Sequence, residues 1–277
     1  GVAAAALPLG LAVGAAFILR QSRVDSPLLD LGLLRRVRFS AALAINFLSF
    51  FAIFGLSVLE AELLQGVIGL SPLAAGLWSL PGALGFVVGS MVPERLGRRH
   101  PPVSIVTGSL LVGAAGLGLI AVAGGGLIVL VTGPTVMALG LAPVATLAAD
   151  LVVSAAPPER AGSAAALNET SFELGGALGI AVLGSVLAVA YRLGLPAGVP
   201  DSARDSIGGA VAASHELGAA GLLESAREAF LGAYQLTAAV SSALLVAAAF
   251  VAVRFLGDGR EREDATPFDG LLVPECD

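Results

Sequence analysis

The chain has 277 residues, of which 56% are hydrophobic and 13% charged, and its mean hydropathy is +0.90. A soluble domain carries about 25% charged residues, so a soluble single-core protein is excluded; with 15 arginines and no lysine, so are a Walker phosphate loop, a retinal or pyridoxal Schiff base and a lysine base. One cysteine, Cys276, and two scattered histidines make neither an internal disulfide nor a zinc cluster and imply no cofactor, and a formal charge of -6 without a concentrated basic face excludes a nucleic-acid partner.

A bilayer core about 30 Å thick takes about 20 residues of helix. Seven long apolar runs meet that length: Gly1 to Leu19, Phe39 to Leu59, Leu73 to Val92, Val103 to Ala123, Leu127 to Ala149, Ala161 to Tyr191 and Phe230 to Val253. They predict an all-α membrane protein with seven transmembrane helices. The first run covers 1–20, and the start inside an apolar segment, with no initiator Met or basic leader, reads as the C-terminal part of a longer protein. Residues 21–38 form a basic linker interrupted by Pro27, whose LLDLGLL run suits an amphipathic piece on the cytoplasmic face. The loop 192–229 is expected on the outer surface, with one or two short helices after Asp201 and Gly221, and the acidic tail 257–277 is expected to be disordered in the cytoplasm.

The connections fix an orientation. Arg20, Arg23, Arg35, Arg36, Arg38, Arg95, Arg98, Arg99, Arg160, Arg254, Arg260 and Arg262 fall in alternate loops and the tail, against only Arg192, Arg204 and Arg227 in the others. That alternation follows the positive-inside rule if every run crosses, and it puts the C-terminus in the cytoplasm. Gly85 to Gly89 and Gly175 to Gly179 are small-residue pairs for close helix packing, and Pro81, Pro134 and Pro143 mark expected kinks.

Acids within such spans are expensive and point to function. Glu169 and Glu173, in NETSFELGGALG of the sixth run, share a helix face, and a start near Ala161 places them roughly 12 and 18 Å along it. Two carboxylates so placed raise each other's proton affinity, the requirement for a group that exchanges a proton for a cation. The competing reading is that an arginine pairs with one of them, or that Asn168, Thr170 or Ser171 holds it neutral at a helix contact. Glu60 and Glu62 end the second run near the outer interface and face different ways. Asp150, at the cytoplasmic end of the fifth run, suits gating or capping. Asn46, Gln65, Thr135 and Thr146 either line a cavity or hydrogen-bond between helices. Phe47, Phe50, Phe51 and Phe54 have helical spacing and would suit a lipophilic cation, although such residues commonly face lipid or a neighbouring helix.

Several stretches carry a resemblance. SPLAAGLWSLPGALGFVVGS, the basic turn PERLGRRHPP, PPERAGSAAALNETSFELGGALGIAVLGSV and the link PLLDLGLLRRVRFS together resemble the C-terminal portion of the 14-helix drug:proton antiporters of the major facilitator superfamily, the branch of bacterial quaternary-ammonium and multidrug efflux pumps. The resemblance implies that the first run is the last of two extra central helices and that 39–256 is one major-facilitator six-helix domain. It implies that Glu169 and Glu173 serve as substrate- and proton-binding acids, and that the turn with Glu94, Arg95, Arg98 and Arg99 governs the switch between inward and outward states. Asn46, Asn168, Asp150, Arg95 and Arg99 are the further cavity or gating candidates. The pattern departs from the family where His100, Pro101 and Pro102 replace the commoner Phe-Gly-Pro-Arg run, and where Ala74 replaces a frequent acid.

The expected function is therefore secondary transport, not catalysis: export of small lipophilic cations in exchange for protons by alternating access in a bacterial inner membrane. The partners are the lipid bilayer and a missing N-terminal half that carries the principal proton-coupling acid. A major facilitator for another small metabolite or a lipid is the nearest alternative, and a seven-helix receptor or sensor is an alternative of another class. An intramembrane enzyme is disfavoured because HExxH, Gly-x-Ser-x-Gly and paired aspartates within spans are missing.

Overall fold

The computed structural model describes residues 2–21 and 31–257, and every regular element among them is helical. The helices are α1 (Val2–Gln21), α2 (Val37–Glu62), α3 (Pro72–Ser90), α4 (Val92–Leu96), α5 (Pro102–Val122), α6 (Leu127–Ser154), α7 (Ala161–Gly194), α8 (Asp201–Asp205), α9 (Ile207–Leu217) and α10 (Ala220–Leu256). Six stretches are long and apolar enough to cross a membrane: Val37–Val67, Pro72–Leu96, Pro102–Val122, Leu127–Ser154, Pro158–Gly194 and Gly221–Leu256. They match the second to seventh apolar runs. The first run is helical as α1, and its described side chains are all exposed.

Helix starts follow local chemistry. Ser71 caps α3 by accepting the Ala74 N–H at 3.3 Å, with Pro72 in the first turn, and Ser206 caps α9 by accepting from Gly209 at 3.0 Å. Gly218, at φ 63°, ends α9 in the left-handed conformation that glycine adopts freely. One expectation needs correction here. The stretch ESAREAF is not a short surface helix but the opening turns of α10, which begins about ten residues before the apolar run. Leu222, Leu223, Glu224, Ala226, Arg227, Glu228 and Ala229 are good helix formers, and no proline interrupts them, so the helix continues out of the apolar zone. The helices α3 and α6 also run unbroken through Pro81, Pro134 and Pro143. Beyond α2 the chain widens into a π turn over Leu63–Val67, where the Ile68 N–H reaches back to the Leu63 carbonyl at 3.1 Å. The link segment 22–30 and the tail 258–277 lie outside the described residues.

The helices pack in a ring: α3 on α6, α6 on α5, α5 on α10, α10 on α7, α7 on α2, with α2 closing onto both α6 and α10. Phe39, Ile45, Leu56, Leu110, Leu117, Leu130, Phe230 and Tyr234 fill the middle. Among the six candidate spans the one formed by α3 and α4 is the least covered, and Leu73, Leu77, Leu80, Leu84 and Val87 leave the apolar face of α3 open. The α2/α7 seam brings backbone against backbone. A Cβ at Gly175 would sit 2.6 Å from the Phe47 carbonyl oxygen, one at Gly55 would sit 2.7 Å from the Gly179 carbonyl oxygen, and one at Gly179 would clash with the Phe51 carbonyl. Both expected glycine pairs thus stand at helix contacts, Gly85 and Gly89 against α6 and Gly175 and Gly179 against α2.

Gly175→Ala is expected to lower the thermal midpoint of the purified chain through overpacking of about 1–3 kcal/mol. Gly184→Ala, on the same helix but with open space around it, is expected to leave the midpoint unchanged or slightly higher. Equal shifts in the two variants would refute the account of the seam.

Candidate functional site

The glycine seam sets the rotation of α7. At about 100° per residue, Asn168, Phe172, Gly175 and Gly179 lie along the side turned to α2, whereas Glu169 and Glu173 lie about a quarter-turn or more away. Both acids are exposed, and neither has a hydrogen bond or an ion pair to a described residue. α7 does begin at Ala161 and has 34 residues. Glu173 therefore stands about 18 Å from its start and about 7 Å short of its middle.

Thr170 donates to the Ala166 carbonyl of its own helix at 2.8 Å, and Ser171 donates across the seam to the Leu43 carbonyl at 3.0 Å. Asn46 is 2% exposed, and its amide donates to the Asn168 backbone carbonyl at 3.4 Å. The Asn168 side-chain oxygen is buried with no hydrogen-bond partner. Arginine pairing and neutralisation by Asn168, Thr170 or Ser171 are thus not what the described contacts show. Asn46 and Asn168 come together, with one open acceptor left beside the acidic face.

Phe50 and Phe54 project from α2 onto Phe172 of α7, with ring centroids 4.3 and 5.6 Å apart at steep interplanar angles. Phe47 and Phe51 stack with each other at 6.1 Å, and Phe51 is buried. By its place in the turn, Phe172 lies between the α2 seam and the acidic pair. An aromatic group is therefore adjacent to two carboxylates, an arrangement that combines ring faces with negative charge. The sequence reading missed Phe172. The available signal was its spacing, three residues after Glu169, in register with the periodic phenylalanines of α2.

The remaining candidates lie elsewhere. Asp150 is exposed near the end of α6, Arg95 is exposed on α4, and Arg99 is exposed in the turn that follows it. No described ion pair joins Asp150 to either arginine. Thr135 and Thr146 do not donate across helices: each donates to its own helix, to Val131 at 2.7 Å and to Ala142 at 3.0 Å. Gln65 is exposed in the π turn. Glu60 is only half exposed and lies within electrostatic reach of the fully buried Tyr234, so it is less solvated than a place at the helix end suggested.

The sequence profile of the Major Facilitator Superfamily matches residues 1–180. The chain is 36% identical over 260 residues to the multidrug efflux pump LfrA of Mycolicibacterium smegmatis, a match covering 90% of the chain and 52% of the relative. It is 36% identical over 176 residues to the tetracenomycin C resistance and export protein of Streptomyces glaucescens, covering 63% and 33%. It is 30% identical over 234 residues to the drug efflux pump JefA of Mycobacterium tuberculosis, covering 84% and 46%. The chain spans from a third to about half the length of these curated relatives.

Because the α2/α7 seam includes two interhelical side-chain bonds, Asn46→Ala and Ser171→Ala are each expected to lower stability by about 0.5–1.5 kcal/mol. Thr170→Ala, which removes only a bond within α7, is expected to cost less. Thermal unfolding of the three purified variants checks this order.

Proposed function

Because the chain belongs to the major facilitator superfamily, we propose that it is the C-terminal half of a proton-coupled exporter of lipophilic cations, and that Glu169 and Glu173 are its substrate- and proton-binding acids. The observation that carries this reading is the juxtaposition on α7. Two carboxylates one turn apart stand exposed, near mid-helix, flanking Phe172, whose ring meets Phe50 and Phe54. A carboxylate on such a face is tolerated where it meets water or a charged ligand, and the rings offer a quaternary or aromatic ammonium both apolar area and quadrupole attraction. The relatives are drug efflux pumps by name, which supports drugs as the cargo class.

In this reading α1 is a seventh span and α2 to α10 form one six-helix domain over 39–256. The open faces of α3 and α7 are turned to the N-terminal half, and transport proceeds by rocking of the two halves about the site. Loading by a cation displaces a proton from the pair, and return of the proton releases the cation, so both ligands use one negative site. Asp150, Arg95 and Arg99 act at the arginine-rich end, which faces the cytoplasm of a bacterial cell and carries the gate. Asn46 ties α2 to the Asn168 backbone carbonyl, and the unpaired Asn168 side-chain oxygen is a further ligand for the cation. Membership of the superfamily removes the receptor reading.

The test is efflux by the protein assembled with its N-terminal half. Glu173→Gln is expected to abolish or narrow efflux of a panel of monovalent and divalent lipophilic cations, with membrane expression intact, and Glu169→Gln to do so for part of the panel. Unchanged efflux of every cation by both variants would remove the acids from the site. Selective loss for uncharged cargo would favour a major facilitator of another small metabolite or a lipid.

A further inference from the structure

A second polar site lies where α2, α5 and α10 end. Between the start of α2, the turn that joins α4 to α5, and the end of α10 is a cavity of about 940 Å³. Arg38, Arg98, Arg99 and His100 line it, and no described acid does. Arg38 is held in the wall by donating to the Leu256 carbonyl at 3.4 Å. Arg98 and Arg99 make no hydrogen bond or ion pair with a described side chain, and both are exposed at the rim. The 21-residue α5 begins at the same rim, and no side chain caps its first turn, so its positive end adds to the field.

An independent observation points to a ligand. Thr107, one turn inside α5, lines the cavity, and its hydroxyl oxygen is buried with no hydrogen-bond partner. By contrast, Thr132, Thr135, Thr146, Thr170 and Thr237 each donate to a carbonyl of their own helix. An unpaired hydroxyl donor beneath three guanidinium groups calls for an acceptor. The deeper wall is apolar, with Leu111, Leu151 and Val253. A free phosphate would occupy a small part of this volume and leave that wall bare. An amphiphile would place an anionic group among the arginines and hydrocarbon against the leucines.

We infer that this cavity binds the phosphate of an anionic glycerophospholipid, with Arg38, Arg98 and Arg99 as the charged clamp, Thr107 as the inner donor, and the Leu111, Leu151 and Val253 wall receiving the acyl chains. Arginine suits the task because its planar fork meets two phosphate oxygens at once, and basic pockets between transmembrane helices hold such headgroups. The site requires that α2, α5 and α10 end at a membrane surface. It does not depend on the cation-export reading.

The full chain in neutral detergent is titrated with dioleoyl phosphatidylglycerol, with dioleoyl phosphatidylcholine and with inorganic phosphate, and binding is read by native mass spectrometry and by the thermal midpoint. Saturable binding with a raised midpoint is expected for phosphatidylglycerol alone. Substituting both Arg98→Gln and Arg99→Gln is expected to weaken it roughly thirtyfold. The milder Thr107→Val, which leaves every charge in place, is expected to weaken it roughly three- to tenfold. Arg192→Gln, an exposed arginine paired with Asp205, is expected to leave it unchanged. Equal affinity for the two lipids, or indifference to both cavity variants, would overturn the inference. So would saturation by millimolar phosphate with no gain from phosphatidylglycerol. Binding that emerges only after deletion of residues 258–277 would overturn it too, by making the acidic tail the occupant.

Discussion

The close backbone contact of α2 with α7 is the constraint on which the rest of the arrangement depends. Between helices surrounded by lipid, apolar side chains gain little by leaving hydrocarbon for one another, and association rests on van der Waals fit and on interhelical hydrogen bonds. Gly55, Gly175 and Gly179 remove the side chains that would hold the two helices apart, so that the Phe47 and Phe51 carbonyls lie against α7 backbone. At that separation Asn46 reaches the Asn168 carbonyl, Ser171 reaches Leu43, and Phe50 and Phe54 meet Phe172. None of these contacts has reach to spare. A methyl group in the seam would weaken all of them together.

The same contact determines what α7 presents outward. Once the glycine stripe is committed to α2, the helical period leaves Glu169 and Glu173 on a face that α2 does not cover, and α10, which also packs on α7, does not bury them. Their exposure is thus a geometric consequence of where the glycines are. Phe172, held by Phe50 and Phe54, occupies the angle between seam and acids, and both carboxylates are exposed. α3 supplies a second open face, because only Ala75 and Gly89 of its residues are buried.

The helical architecture was legible because each crossing needs about 20 apolar residues, and the runs have that length. Six of them correspond to helices that meet the membrane criterion, with ends displaced by a few residues. The start of α10 was not legible from hydropathy, which detects where the apolar zone begins and not where the backbone ceases to be helical. Leu222 to Ala229 satisfy the backbone as a helix while carrying Glu224, Arg227 and Glu228. At the site, spacing alone placed Glu169 and Glu173 on one face. It did not reveal that Thr170 and Ser171 donate to carbonyls elsewhere, because a hydroxyl has an acceptor available in its own preceding turn. Phe172 and the half-buried Glu60 escaped notice for a related reason: their surroundings come from α2 and α10, far away in the chain.

Charge sorting connects the two polar regions. In a chain where 13% of residues are charged, a charge is found where water, a partner charge or a ligand stabilises it. Arg38, Arg98 and Arg99 converge on one cavity although they come from segments about sixty residues apart, and no described acid accompanies them. An anion among the three guanidinium groups would relieve their mutual repulsion. The inverse holds at α7, where two carboxylates share a face with no described cation beside them. Each region carries the charge opposite to the ligand argued for it, and each lies beside an apolar surface, the phenylalanines in one case and Leu111, Leu151 and Val253 in the other. Binding amphiphiles of both signs, as proposed, needs two such sites kept apart. The bundle separates them by placing one on the outward face of α7 and the other where α2, α5 and α10 end.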